Sequence, residues 1–187
     1  MRAGWFAVSF DLDKFRLGGV TMSYSAAHIA NKFLQIAAAE GRSITPMQLQ
    51  KLVYIAHGWH LGHTGQPLIN EDVQAWRYGP VIYDLYNKTK AFGNQPITEW
   101  IPTGHMPWQR DVEVDANTGG FIADIWRHYS QYDAVQLSNM THSPNTPWYR
   151  RWVDNGGSSQ YFAVIDNDDI ARFYSDAVRM NQIPSSA

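Results

Sequence analysis

The stretch Thr45-Pro46-Met47-Gln48-Leu49-Gln50-Lys51-Leu52-Val53-Tyr54-Ile55-Ala56-His57-Gly58-Trp59-His60 decides how the rest of the chain is read. Thr45 is placed to cap a helix. Pro46 falls at the first helical position, where its missing N–H costs nothing, and Gln48 is spaced to complete a capping box. Leu49, Leu52, Val53, Ala56 and Trp59 or His60 recur at helical spacing, which predicts a helix to about His60 with that face buried. Gly62 and Gly65 are expected to break it.

Upstream, Ser25 is placed to cap a helix running to about Ala39, with Ile29, Phe33 and Ile36 on one stripe and Gly41 beyond its end. Downstream, residues 67–69 and 73–78 read as short extended segments around an acidic turn, Asn70-Glu71-Asp72. Tyr78-Gly79-Pro80 reads as a turn and 81–92 as a third helix. Residues 93–118 form the most loop-like part, with 97–102 and 111–114 as strand or loop, and are the place for variation or mobility. A helix is expected over about 120–132, and a short one capped by Asp133. Thr146-Pro147 repeats the cap signature before a helix over 148–153. A brief β-like run at 161–165 precedes a last helix capped by Asp166 or Asn167. The expected fold is mainly α, of α+β type: about six or seven helices with a few short strands. Residues 23–182 form the domain, with 1–22 as an N-terminal extension and 183–187 as a C-terminal tail.

Composition narrows the function classes. The 187 residues include 44% hydrophobic and 17% charged residues, enough to bury a core. Cysteine is absent, which removes disulfides, thiolate zinc sites and cysteine nucleophiles. The net charge of −2 argues against affinity built on phosphate neutralisation, so nucleic acid is not an expected partner. No run of 18 apolar residues exists, and the apolar stretch 3–10 stops at Asp11 without a cleavage pattern, so neither a membrane span nor a signal peptide is expected. The cytoplasm is the expected compartment. The 8 Trp, 10 Tyr and 8 Phe fit either a core or a binding surface.

No catalytic machinery emerges from the spacing. His57, His60 and His63 recur every three residues, but no carboxylate at ligand spacing accompanies them, so no metal is expected. Phosphate-cradling glycine motifs and the nucleophile elbow are absent, and no cofactor is expected. Glu71-Asp72 reads as a turn and Asp166-Asn167-Asp168-Asp169 as a helix N-terminus. Trp148-Tyr149-Arg150-Arg151-Trp152 interleaves aromatics with arginines, read as a half-buried helix with a cationic outer face.

Four stretches, in order, resemble the Panacea domain family, which includes SocA-like antitoxins and phage-associated proteins of the GepA type. They are Leu49 to His60; Gly65-Gln66-Pro67-Leu68; Ala75-Trp76-Arg77-Tyr78-Gly79-Pro80-Val81 with Leu85-Tyr86; and Leu137-Ser138-Asn139-Met140-Thr141-His142-Ser143 followed by Pro147-Trp148. The resemblance covers about residues 24–180. Met140 stands where the family usually has Leu, and Pro144-Asn145-Thr146 lengthens the gap before Pro147.

The resemblance implies an antitoxin, often encoded in prophages beside its toxin, that neutralises the toxin by direct protein contact and is not an enzyme. It also implies an adaptor role toward a ClpXP-type protease. A phage accessory protein binding a host protein is the alternative, followed by a metal-dependent hydrolase using His57, His60 or His142. The family-motif residues Lys51, Trp59, Trp76, Tyr78, Gly79, Pro80, Thr141, His142, Pro147 and Trp148 are expected to be scaffold rather than contact, because a domain serving many toxins should share its scaffold. Trp100, Trp108, Arg150, Arg151 and Trp152 are then the candidate partner surface.

Overall fold

The computed structural model describes residues 23–104, 106 and 108–182; the extension 1–22 and the tail 183–187 lie outside the described residues. Its elements in chain order are α1 (Ala26–Ala39), α2 (Pro46–Thr64), β1 (Val73–Trp76), β2 (Gly79–Ile82), α3 (Tyr83–Thr89), α4 (Ala116–Tyr129), α5 (Ala134–Thr141), α6 (Pro147–Tyr149), β3 (Val164–Ile165) and α7 (Asn167–Gln182). The protein is mainly α with a small antiparallel sheet, in the order β2-β1-β3.

The architecture is organised by α2. Every residue from Leu49 to Leu61 is buried, so α2 has no solvent face. A helix apolar or satisfied all round belongs at the centre of a domain, and α2 packs against α1, α3, α4, α5, α7 and β2. Each fully buried Leu49, Leu52 or Ile55 side chain contributes about 1.5–3 kcal/mol. Thr45 caps the helix as expected, its hydroxyl accepting from Gln48 N. The expected capping box is half made, because the Gln48 side chain donates to Tyr132 O at 3.0 Å instead. A complete box forms between Asp133 and Gln136 at the start of α5.

Gly62 does not break α2, which continues to Thr64 and ends at Gly65 in the left-handed conformation (φ +70°). Gly58 and Gly62 lie one turn apart on the face that meets α7. A Cβ on Gly58 would lie 2.2 Å from the Tyr174 ring, and one on Gly62 would lie 2.6 Å from the Tyr174 carbonyl carbon. The two glycines therefore let α7 approach α2 closely, and Ser175 Oγ crosses the seam to donate to Gly62 O at 3.1 Å.

Two further expectations are corrected. Residues 79–82 are strand, not turn and helix, and α3 covers only Tyr83–Thr89 before a single 3-10 turn, Lys90–Phe92. Pro80 is tolerated there because β2 is an edge strand, where its missing N–H faces away from the ladder. Residues 148–153 do not form one α-helix: α6 is a single turn that widens into a π-helical turn, Arg150–Asp154. The long loop before α4 is anchored by buried Asn31, whose side chain donates to Ile101 O and Asp111 O and accepts from Ile101 N. Glu71, read as a turn residue, reaches α1 and accepts from Ala26 N with both carboxylate oxygens.

Candidate partner-binding site

The family-motif segments converge on one hairpin. β1 and β2 pair Trp76 with Gly79, leaving Arg77 and Tyr78 at the tip. Gly79 has φ +103°, and a Cβ there would lie 2.8 Å from Lys51 Nζ and 3.2 Å from Thr141 Oγ1, so both backbone and space require glycine. Side chains from other elements hold the hairpin backbone. Lys51 Nζ donates to Pro80 O at 2.8 Å. Gln50 donates to Ile82 O and accepts from Ile82 N. Ser138 Oγ donates to Tyr78 O at 2.8 Å, and Trp148 Nε1 donates to Trp76 O at 2.8 Å. Thr141 Oγ1 turns back to Ser138 O.

Lys51, Trp76, Tyr78, Gly79, Pro80, Thr141, His142 and Trp148 are thus brought together. His142 packs on Trp148 with ring centres 5.2 Å apart, and burial, followed by the Lys51 charge, lowers its pKa. Pro147 starts α6 behind Trp148, with Thr146 capping the turn. Trp59 lies apart, in the core, where its Nε1 donates to Tyr129 Oη at 2.8 Å and its ring meets Tyr174 edge-on. Tyr78 differs from the others: its side chain is 65% exposed, with the Arg77 guanidinium 5.5 Å over its ring.

Lys51 is the electrostatic anomaly. It is 2% exposed, and burial pushes its ammonium down to about 7. Among the described residues no carboxylate lies within ion-pair distance of it. Lys51 and Gln50 border a cleft of about 510 Å³ walled by Trp76, Val81 and Tyr86, with Arg77, Tyr78 and Lys90 also lining it.

His57 and His60 of α2 are packing groups. Leu68 N donates to His57 Nδ1, so the ring is protonated at Nε2 and donates to Asn167 Oδ1 at 3.0 Å. Burial is the main reason its pKa falls to about 4. His60 Nδ1 donates to Gln66 O at 2.7 Å. Among the described residues no three His, Asp or Glu side chains are grouped to hold a metal ion.

The five surface residues do not form one patch. Trp100 lines a cleft beside Leu34 and Ile97, whereas Trp152 lines another with Trp76 and Phe162. Trp108 is 75% exposed on the long loop. Trp152 stacks on Trp148 at 5.9 Å. Arg150 donates to Asn145 O, and Arg151 to Val164 O and the Gln160 side chain, so both guanidiniums bind their own fold. Sequence reasoning did not single out Gln50, Ser138 or Arg77. The signal for Gln50 was present, as a polar residue within a helix buried on every side.

The chain is thus a mainly helical domain that carries a clamped hairpin beside an aromatic cleft rimmed by Arg77 and Lys90. The chain belongs to the Antitoxin SocA-like, Panacea domain family, whose pattern matches residues 49–149. Antitoxin SocA of Caulobacter vibrioides (strain NA1000 / CB15N) is 33% identical over 132 residues, covering 67% of this chain and 69% of that protein. No solved structure matches the chain. Among the described residues no helix is long and apolar enough to cross a membrane.

Proposed function

We propose that this chain is an antitoxin that neutralises a cognate protein toxin by direct contact in the cytoplasm, and that it performs no catalysis. Membership of the SocA-like family, with the matched region spanning the whole clamped hairpin, is the observation that carries this reading. The physical character of the site supports it. Binding requires aromatic and arginine anchors on a rigid support, and the hairpin offers Trp76, Arg77 and Tyr78 on a backbone held from α2, α5 and α6, so that Trp76 and Tyr78, expected to be scaffold, are read here as contacts as well.

Co-expression tests the reading. The product of a neighbouring gene should arrest growth alone, and this chain should restore growth and co-purify with it. Failure of every adjacent product to be both toxic and rescued removes the antitoxin reading. The same strains address hand-over to a ClpXP-type protease, implied by the family resemblance. On that reading, toxin levels fall when this chain is present and recover when the protease is deleted.

A further inference from the structure

We propose that the cleft beside the hairpin, bordered by Lys51, Trp76, Arg77, Tyr86 and Lys90, receives an apolar segment of the partner protein that carries a carboxylate. The inference rests on the antitoxin reading for the identity of that partner, the toxin, but its chemistry stands on the cleft itself.

Charge complementarity points to the occupant. Arg77 and Lys90 are exposed at the cleft, and Lys51 lies buried beneath it. Among the described residues none of the three has a carboxylate within ion-pair distance. Among the described residues Lys90 Nζ donates to Asn87 Oδ1 alone, while its neighbour Lys88 is paired with Asp84 at 2.7 Å. The cleft at Trp100 offers the contrast. It is also lined by two arginines, but Arg110 pairs with Glu99 and Arg42 with Glu40. Among the described residues one cleft is compensated internally and the other is not.

The walls then select a peptide over a phosphate backbone. Of the walls, Trp76 meets Tyr86 edge-on at 5.0 Å; Tyr83, 6.2 Å from Trp76, and Phe162, 6.0 Å from Tyr83, continue the aromatic row outside the cleft. Tyr78, Tyr83, Tyr86 and Phe162 are exposed around this row. A Trp, Tyr and Arg surface is the composition of interface hot spots, and the bonds from Gln50 and Lys51 to β2 fix its base before binding. An aliphatic or aromatic side chain fills the walls, and an adjacent Asp or Glu meets Arg77 and Lys90 in charge-assisted hydrogen bonds.

The test has two arms. In the first, phenylacetate and phenylacetamide are titrated into isotope-labelled full-length protein and followed by NMR. Phenylacetate should shift the amides of Arg77, Tyr78 and Lys90 and bind about tenfold more strongly than the amide, a preference lost in Arg77→Ala/Lys90→Ala. Equal binding of the two probes, or shifts centred on Trp100, overturns the proposal. So does displacement of the probe by oligothymidine but not by an acidic peptide. In the second arm, Arg77→Glu/Lys90→Glu replaces wild type in the rescue assay, with folding checked by circular dichroism. Rescue should be lost. If wild type rescues and the folded variant rescues equally, the cleft assignment falls while the antitoxin reading stands. If wild type itself fails to rescue, the antitoxin reading falls and the NMR arm decides the cleft alone.

Discussion

The two sides of α2 solve opposite problems. Toward α7, Gly58 and Gly62 remove side chains so that Tyr174 and its backbone fit against the helix. Toward the hairpin, Gln50 and Lys51 extend polar side chains to hold β2 at its edge, and a cleft remains beside them. The first side is closed by removal of bulk and leaves no room for a ligand. The second is spanned by hydrogen bonds, which fix position without filling space. One buried helix thus separates a seam built for stability from a support built to present a surface.

The seam carries the largest expected effect. Gly62→Ala places a methyl 2.6 Å from the Tyr174 carbonyl carbon and 2.8 Å from Ser175 N. Backbone inside α7 has no rotamer by which to yield, so the helices must part. A loss of about 3 kcal/mol is expected, at the upper end of overpacking costs, read by urea unfolding. A loss under about 1 kcal/mol would show a seam with slack and erase the distinction between the two sides.

The hairpin side should instead betray itself through pH. Lys51 has a folded pKa of about 7, below its ordinary value of 10.5, because burial disfavours the ammonium. Between those values the unfolded chain holds a proton that the folded chain lacks, so stability rises with pH across this window and is least below it. From pH 7 to 9 the gain from this group is about 2 kcal/mol. Lys51→Met, similar in volume, should flatten that rise when thermal or urea unfolding is compared at the two pH values. An unchanged slope in the variant would mean that Lys51 stays charged and solvated, and that the hairpin side is no less wet than the surface.

This division was only partly legible in the sequence. Helix existence followed from local signals: Thr45-Pro46 and Thr146-Pro147 both start helices because cap and ring geometry are set within a few residues. Gly62 was misread as a breaker because glycine's low helix propensity is local, whereas its use here depends on Tyr174, more than a hundred residues later. Residues 79–82 were misread because Pro80 after Gly79 reads as a turn. Only the pairing with β1, and the Lys51 ammonium above Gly79, make it an edge strand. The family motifs named most of the side chains that meet at the hairpin, yet spacing did not show that Lys51 lacks a counter-ion. That requires knowing which carboxylates are elsewhere, and Glu71, for one, is engaged at the start of α1.

The smallest expected effect tests whether the contrast reaches individual polar atoms. The hairpin side satisfies its buried Gln50 in both directions, through Ile82 N and Ile82 O. The seam buries two hydroxyls, Tyr54 Oη and Tyr174 Oη, that have no hydrogen-bond partner among the described residues. Their rings meet edge-on at 6.4 Å, and burial is the main cause of their raised pKa values. A buried hydroxyl left unpaired costs about 1–3 kcal/mol, and Phe keeps the ring while removing the oxygen at a small cost in packing. Tyr54→Phe is therefore expected to stabilise the protein by about 1 kcal/mol in urea unfolding, as the difference between these two terms. A destabilised Tyr54→Phe would place a partner, such as an ordered water, on that hydroxyl. The seam would then be held by polar contacts as well as by close approach, and the two sides of α2 would differ only in how much room they leave.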